Sequence, residues 1–168
     1  VHGRQHRHGL LRGIDAEDGG LQGQKVMLEF LETHWQLPDS GIWESRSDEK
    51  RHTHSAVMAW VAFDRGIPSV EKYGLNGPVE RWRGIRDEIH RTVCTQGMDH
   101  ERGVFVQAFG SQALDSALLR IPLVGFLPPD DKRVIATADA IARDLTKKGF
   151  VYRYSTHEAP DGLPHNEG

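Results

Sequence analysis

The sequence predicts an all-α protein. Apolar residues recur every three or four positions in five stretches, which is the period of an amphipathic helix. Long loops that carry tryptophan, arginine, tyrosine and acidic residues separate these stretches. Loops longer than about 12 residues are often functional. No segment repeats at a fixed period, which disfavours a solenoid. We therefore expect separate helices that pack around one core, with the chemistry in the loops between them.

The first half of the chain is predicted to form three helices. The first covers residues 22–36, where apolar residues recur at helical spacing. The second covers 54–66 and is expected to end at Gly66, because glycine is common just after a helix. Proline suits the first helical turn, so Gly77-Pro78 is expected to open the third. Its apolar stripe is the clearest in the chain and consists of Val79, Trp82, Ile85, Ile89 and Val93.

The second half is predicted to be less regular. Residues 103–109, Gly-Val-Phe-Val-Gln-Ala-Phe, predict a short extended stretch. The apolar pattern over 112–120 predicts a helix. Asp130 is the expected cap of a last helix over 131–148. Residues 151–154 are predicted to be extended.

Composition and charge disfavour several classes of function. Lysine and arginine number 21 against 24 acidic residues, and a net charge of −3 does not suit a general nucleic-acid surface or a polybasic membrane contact. No apolar run approaches the ~20 residues of a membrane span, and the mean hydropathy is −0.54. Cys94 is the single cysteine, so the chain can form neither an internal disulfide nor a zinc site made of thiolates. We expect a cytoplasmic protein that binds neither nucleic acid nor a membrane.

The two ends of the chain do not resemble domain ends. Residues 1–20 contain five glycines and no apolar period, so residues 1–21 are expected to form a poorly ordered or divergent segment. The chain begins at Val1 and stops in a polar loop. We therefore expect a piece of a larger protein, with a partial domain over 22–168.

Several common catalytic motifs are absent from the sequence. It contains no phosphate-binding loop, no dinucleotide-binding glycine motif, no zinc-protease motif and no serine-hydrolase elbow. His52 and His54 are two positions apart and would not share a helix face, so we expect hydrogen-bonded or solvated histidines rather than metal ligands. We expect no metal and no cofactor.

Glu44 is the sharpest candidate for catalysis. It follows Trp43 directly in a tight loop between the first two predicted helices. A carboxyl group that an indole shields from water stays protonated more easily, as a general acid for a glycosidic oxygen must. The face of the indole can also pack against a sugar ring. The alternative, which the residues by themselves favour, is a surface glutamate after a tryptophan that only packs between helices.

Arg153 is a candidate for binding a ligand. It stands between Tyr152 and Tyr154, and a planar guanidinium with several donors suits a polyhydroxylated ligand. An ion pair with a nearby acid explains it equally well. Glu167 is an isolated acid in a loop and by itself reads as an ordinary solvated side chain.

Six segments in a fixed order resemble one family of enzymes. They are PDSGIWESR at 38–46, THSAVMAWVAFDRGI at 53–67, GPVERWRGIRDEIH at 77–90, ALDSALLRIPLVGFLPPDD at 113–131, GFVYRY at 149–154 and DGLPHNEG at 161–168. With these segments, residues 22–168 resemble the catalytic domain of glycoside hydrolase family 15, in its bacterial glucoamylase and trehalase branch. The resemblance implies part of an (α/α)6 barrel, in which six helical hairpins carry the site at one end.

The resemblance also implies an activity and a set of site residues. Members of the family are inverting, exo-acting α-glucosidases with two glutamates, and Glu44 matches the general acid. Trp43, Arg153 and Tyr154 match residues that contact the sugar, and Glu167 lies in a loop at the rim of the site. The implied substrate is an oligosaccharide or disaccharide with α-linked glucose. A glucoamylase-type enzyme is the main expectation, and an α,α-trehalase is the alternative.

Two features put catalysis by these residues alone in doubt. Ala56 stands where the family pattern has a lysine. Inversion needs a second carboxylate, roughly 6.5–9.5 Å from the acid, to activate water. The resemblance places this base after Gly168, and Glu167 is the one late acid that could replace it. We therefore expect the chain by itself to be marginally stable, prone to self-association and inactive. The alternative to an enzyme is a protein that binds carbohydrate without cleaving it.

Overall fold

The computed structural model describes residues 14–44, 48–74 and 76–155. Helices dominate this part of the chain, as predicted. The α-helices are α1 Ile14–His34, α2 Thr53–Lys72, α3 Val79–Gln96, α4 Arg120–Leu123 and α5 Lys132–Asp144. A 3₁₀ helix, Ser116–Leu119, leads directly into α4. Two short antiparallel hairpins complete the described elements: β1 Met98–Asp99 pairs with β2 Val104–Phe105, and β3 Thr146–Lys147 pairs with β4 Phe150–Val151.

The core forms around α2, which packs against both α1 and α3. Its buried face contributes a row of large side chains at helical spacing: Val57, Trp60, Phe63, Ile67 and Val70. Segment 104–108 is buried and lies against the start of α2, where Thr53 N donates to Gln107 O at 3.0 Å. Each fully buried side chain of this size contributes about 1.5–3 kcal/mol. The packing therefore holds the N-terminus of α2 in place, and the loop before it carries Glu44.

Helix α1 starts earlier than its sequence pattern predicts. It begins at Ile14 rather than at residue 22, and it ends at His34, with Trp35 N still donating to Leu31 O at 3.1 Å. Residues 14–20, for which poor order was expected, are part of this helix, and residues 1–13 lie outside the described residues. Adding residues to an existing helix is easier than nucleating one, so the turn continues through glycines that lack an apolar pattern. The division of the chain at residue 21 stays a prediction.

Helix α2 continues past the glycine that was expected to end it. It runs through Gly66 and Pro68 to Lys72, and the residue that stops it is Gly74, with a φ of 65°. Gly66 is buried where α1 crosses α2, and a Cβ atom there would lie 2.7 Å from Leu28 Cδ1. This glycine therefore permits a close helix–helix contact rather than a helix end.

Replacing Gly66 by alanine is expected to destabilise the protein by about 1–2 kcal/mol, because the new methyl group overpacks the contact with Leu28. The matched control is Gly84→Ala in α3, where a Cβ would meet nothing within 4 Å. That change should stabilise by about 0.5–1 kcal/mol through helix propensity. Urea unfolding of both variants measures the difference. Equal gains in stability would show that the two helices do not approach this closely.

Helix α3 agrees with its prediction. It begins at Val79, directly after Pro78, and its stripe faces the core, with Trp82, Ile89 and Val93 fully buried. The Trp82 indole N–H donates to the carboxylate of Glu32 in α1. This bond joins the first and third helices.

The segment predicted as a helix over 112–120 is different in the structure. Residues 112–115 are not helical, and Asp115 is extended, with φ −143° and ψ 130°. Its side chain caps the 3₁₀ helix by accepting from Ala117 N at 2.7 Å. An aspartate that bonds to the backbone two residues ahead favours a cap over a helix interior. The helical part then continues to Leu123, three residues beyond the prediction.

The last helix is shorter than predicted. Its cap is Asp131 rather than Asp130, since Asp131 Oδ1 accepts from Arg133 N at 2.9 Å. The helix ends at Asp144 rather than at residue 148, because residues 146–147 pair with Phe150–Val151 in a hairpin. The extended stretch predicted over 103–109 includes β2, and the one predicted over 151–154 overlaps β4 only at Val151. None of the helices in the described ranges is long and apolar enough to cross a membrane.

Candidate active site

A tight turn between α1 and α2 holds Trp43 and Glu44. Asp39 Oδ1 accepts from Gly41 N at 2.5 Å and from Ser55 Oγ at 3.0 Å, so one carboxylate ties the turn to the first turn of α2. Gly41 has a φ of 68°, and Glu44 N donates back to Gly41 O at 3.2 Å. The turn therefore has a defined shape where the two candidate residues leave it.

Glu44 has an unusual backbone conformation. Its φ is 48°, which is uncommon for a residue with a side chain and costs of the order of 1–3 kcal/mol. Such conformations cluster at functional sites. The side chain is exposed, so the indole of Trp43 does not shield the carboxyl group from water in the described part of the chain. The exposed side chain agrees with the alternative that the residues by themselves favoured, a surface glutamate, and a catalytic role for Glu44 stays a prediction.

The indole of Trp43 is held by Asp115. Trp43 Nε1 lies 2.9 Å from Oδ1 and 3.1 Å from Oδ2 of this carboxylate, which is 4% exposed. Gln107 Nε2 donates to Oδ2 at 3.4 Å. A hydrogen bond to a charged acceptor is stronger than a neutral one, so the contact orients the ring.

The backbone at Asp115 and Ser116 brings Arg153 and Tyr154 close to Trp43. Asp115 and Tyr154 form an isolated antiparallel β-bridge, and Ser116 N donates to Arg153 O at 2.8 Å. The Arg153 guanidinium carbon lies 5.7 Å from the Trp43 ring and 6.0 Å from the Tyr154 ring. Both distances are within the range of a cation–π contact. Three of the predicted binding residues therefore meet beside Glu44, although more than 100 positions separate Arg153 from Glu44 in the sequence.

His54 lies behind the turn, in the first turn of α2. Its Nε2 atom is buried and has no hydrogen-bond partner among the described residues. Burial lowers the pKa of His54 below its ordinary value of 6.5, and the nearby Arg120 and His52 lower it further. Asp115 and Asp39 act in the opposite direction without cancelling the effect of burial. His54 is therefore more readily neutral than an exposed histidine.

The stability of the protein is expected to fall as the pH drops below 6.5, in part because of His54. Because the pKa of His54 is lower in the folded state than in the unfolded state, the unfolded state binds a proton at a higher pH. Acid therefore favours unfolding between the unfolded and the folded pKa. His54→Gln should flatten this part of the profile of unfolding free energy against pH. His100→Gln removes an exposed histidine and serves as the control. Superimposable profiles for wild type and His54→Gln between pH 5 and 7 would contradict the prediction.

The lysine position of the family pattern is filled differently here. Ala56 is buried in α2, at 4% exposure, so this position adds an apolar methyl group to the core and no polar contact to the site. A mostly apolar open groove of about 630 Å³ lies between α1, the turn and α2, lined among others by Phe30, Ile42 and Met58. Trp43 and Arg153 do not line this groove, and we assign no sugar site to it.

One predicted site residue is not described by the structure, and three residues near the turn were not predicted. Glu167 lies outside the described residues. Asp115, Gln107 and His54 are candidate site residues that sequence reasoning did not select. The signal for Asp115 was the Asp-Ser-Ala start of a short helical turn, which is a capping pattern. Within the described ranges, no group of three or more His, Cys, Asp or Glu side chains could hold a metal ion.

Comparison with known proteins places this geometry in a family. Glycosyl hydrolases family 15 matches residues 13–168. The trehalase of Mycobacterium tuberculosis is 49% identical over 144 residues, which are 86% of this chain and 21% of that protein. The trehalase of Thermoplasma acidophilum is 41% identical over 142 residues, or 84% of this chain and 24% of that protein. A solved glycosidase in complex with glucose has a TM-score of 0.67 at 25% identity, over 77% of this chain and 34% of its own.

These likenesses agree with the expected architecture, part of an (α/α)6 barrel. The chain spans less than a quarter of the length of the two trehalases. The match nevertheless extends over nearly all of its residues and includes the turn with Trp43 and Glu44. The chain belongs to glycosyl hydrolases family 15.

Proposed function

We propose that this chain supplies the general acid and part of the sugar-binding surface of an α,α-trehalase. The observation that supports this most strongly is the cluster of Trp43, Arg153 and Tyr154 beside Glu44, held by the buried carboxylate of Asp115. Trehalose is favoured over α-glucans because the similar proteins reported above are trehalases. The glucoamylase-type specificity that was the main expectation from sequence has less support.

In the proposed reaction, Glu44 protonates the oxygen that joins the two glucose units. A water molecule attacks the anomeric carbon from the opposite face, and a second carboxylate accepts its proton. The bond to the protonated oxygen breaks and two glucose molecules leave. Inversion at the attacked carbon makes one of them β-glucose and leaves the other as α-glucose. The exposed position of Glu44 suits an acid that must reach a bound sugar.

Trp43 and Arg153 are proposed to bind the glucose unit. The indole offers an apolar face to the ring, and its N–H is already used by Asp115, so the ring cannot turn freely. The guanidinium of Arg153 lies above the same indole and presents several N–H donors in a plane. Hydroxyl groups of a sugar that lies beside this pair would accept these hydrogen bonds. Tyr154 is buried, and its ring lies 6.0 Å from the guanidinium carbon of Arg153.

The test is glucose release from trehalose, maltose and isomaltose. The 168-residue chain is assayed by itself, and so is a chimera in which these residues replace the matching segment of the Mycobacterium tuberculosis trehalase. We expect the chimera to hydrolyse trehalose and to leave maltose and isomaltose intact, with β- and α-glucose appearing together by NMR. A folded chimera that prefers maltose would contradict the trehalase assignment. Turnover by the chain alone would mean that its own residues include a base, and Glu167→Gln would then be tested.

A carbohydrate-binding protein without catalysis is the second candidate. One observation favours it: Ala56 is buried where the family pattern has a lysine. This candidate requires that trehalose binds without being cleaved and that Glu44→Gln leaves its affinity unchanged. Loss of hydrolysis in Glu44→Gln would exclude it.

A further inference from the structure

We propose that Asp115 is a positioning residue that holds Trp43 in the orientation needed to bind the sugar. The inference rests on the proposed function, because it gives Trp43 the task of contacting glucose. Asp115 itself is buried and does not reach the position of a ligand. It acts through the indole.

Three N–H donors converge on the two oxygens of this carboxylate. They come from the Trp43 indole, the Gln107 amide and the backbone of Ala117. A buried carboxylate is stable only when donors replace the water that it has lost. The three donors belong to separate parts of the chain, so satisfying the carboxylate also fixes the turn at Trp43 against segment 104–115.

The backbone of Asp115 adds a second link. It pairs with Tyr154, and Ser116 N donates to Arg153 O, so the residue that orients the indole also places the segment that carries the guanidinium. Asp115 therefore holds both partners of the contact between Arg153 and the Trp43 ring, which are 5.7 Å apart: its side chain holds the ring and its backbone holds the segment of Arg153. A substitution of the Asp115 side chain would therefore move the Trp43 ring and leave the backbone pairing with Tyr154 intact.

An asparagine performs this task less well, although it has nearly the same shape. One oxygen would be replaced by an NH₂ group that accepts no hydrogen bond. With three donors around it, the amide would face at least one of them, and a buried donor without an acceptor is unfavourable. A serine separates the two roles of Asp115, because its hydroxyl can cap the 3₁₀ helix but is too short to reach the indole.

The experiment reads the indole N–H resonances of the four tryptophans in the ¹⁵N-labelled 168-residue chain, with the Trp43 signal assigned from Trp43→Phe. We expect Asp115→Asn and Asp115→Ser both to move the Trp43 resonance and to weaken trehalose binding by about tenfold. The signals of Trp35, Trp60 and Trp82 should stay in place and report an intact core. Asp131→Ser, which alters the cap of α5 and bonds neither to Trp43 nor to Asp115, is the matched control and should change neither quantity.

A purely structural role for Asp115 gives a different result. If only the cap matters, Asp115→Ser will behave as wild type, and this outcome overturns the proposal. An unmoved Trp43 resonance in Asp115→Asn overturns it as well. If the resonance moves but trehalose does not perturb it in the wild type, the proposed function fails and the contact between Asp115 and Trp43 stands. The same variants in the chimera give a second measurement: KM for trehalose should rise about tenfold with a smaller change in kcat.

Discussion

Replacing Glu44 by glutamine is expected to lower the rate of trehalose hydrolysis in the chimera by about 10²–10⁴-fold. Proton transfer by a positioned acid contributes an effect of this size, and glutamine has no proton to give. The fold should be unaffected, because the side chain is exposed. The steady-state rate of glucose release measures the loss.

A substrate that needs no acid distinguishes proton donation from a general disturbance of the site. In α-glucosyl fluoride the leaving group departs without being protonated, so Glu44→Gln should cleave it at a rate close to that of the wild type. Glu49→Gln removes another exposed carboxyl group from the same connection and is the control, with unchanged rates on both substrates. If Glu44→Gln slows both substrates equally, Glu44 is not the acid.

Truncating Trp82 to alanine is expected to destabilise the protein by about 3–5 kcal/mol, the typical cost of removing a large buried aromatic side chain. Trp82 is 0% exposed, and its ring lies against Gly77, where a Cβ would come within 2.7 Å. Urea unfolding measures the effect. Domains typically have a total stability of about 5–15 kcal/mol. A loss of this size would leave the variant largely unfolded if the chain lies near the lower end of that range.

The two parts of the Trp82 side chain can be separated. Trp82→Phe keeps most of the ring and removes the N–H that donates to Glu32, so it should cost less, about 1–3 kcal/mol. Glu32 also pairs with Arg81 at 2.5 Å, which limits the loss. Trp35→Ala removes a half-buried tryptophan and serves as the control, with a smaller effect than Trp82→Ala. Equal losses at the two positions would contradict the central place of Trp82 in the core.

Element boundaries show where sequence patterns were insufficient. The stripe of α3 predicted the helix from its first turn, because Pro78 and a regular apolar period agree. Gly66 was expected to end α2, but it lies inside the helix, since the approach of Leu28 depends on α1 and no local pattern contains that information. Asp115 was assigned to a helix for the same reason. Its conformation depends on donors from Trp43 and Gln107, which are distant in sequence.

By itself, the sequence determined that the protein is helical, which faces of α2 and α3 form the core, and that Trp43-Glu44, Arg153 and Tyr154 are the residues to examine. These conclusions rest on local periodicity and on motifs, both of which are written in neighbouring residues. Only the tertiary structure decided that Arg153 stacks over Trp43, that Asp115 orients the indole, and that Glu44 has a strained backbone and an exposed carboxyl group. Each of these depends on the way the burial of apolar faces brings distant segments together, so it follows from the packing of the whole chain and not from any single segment.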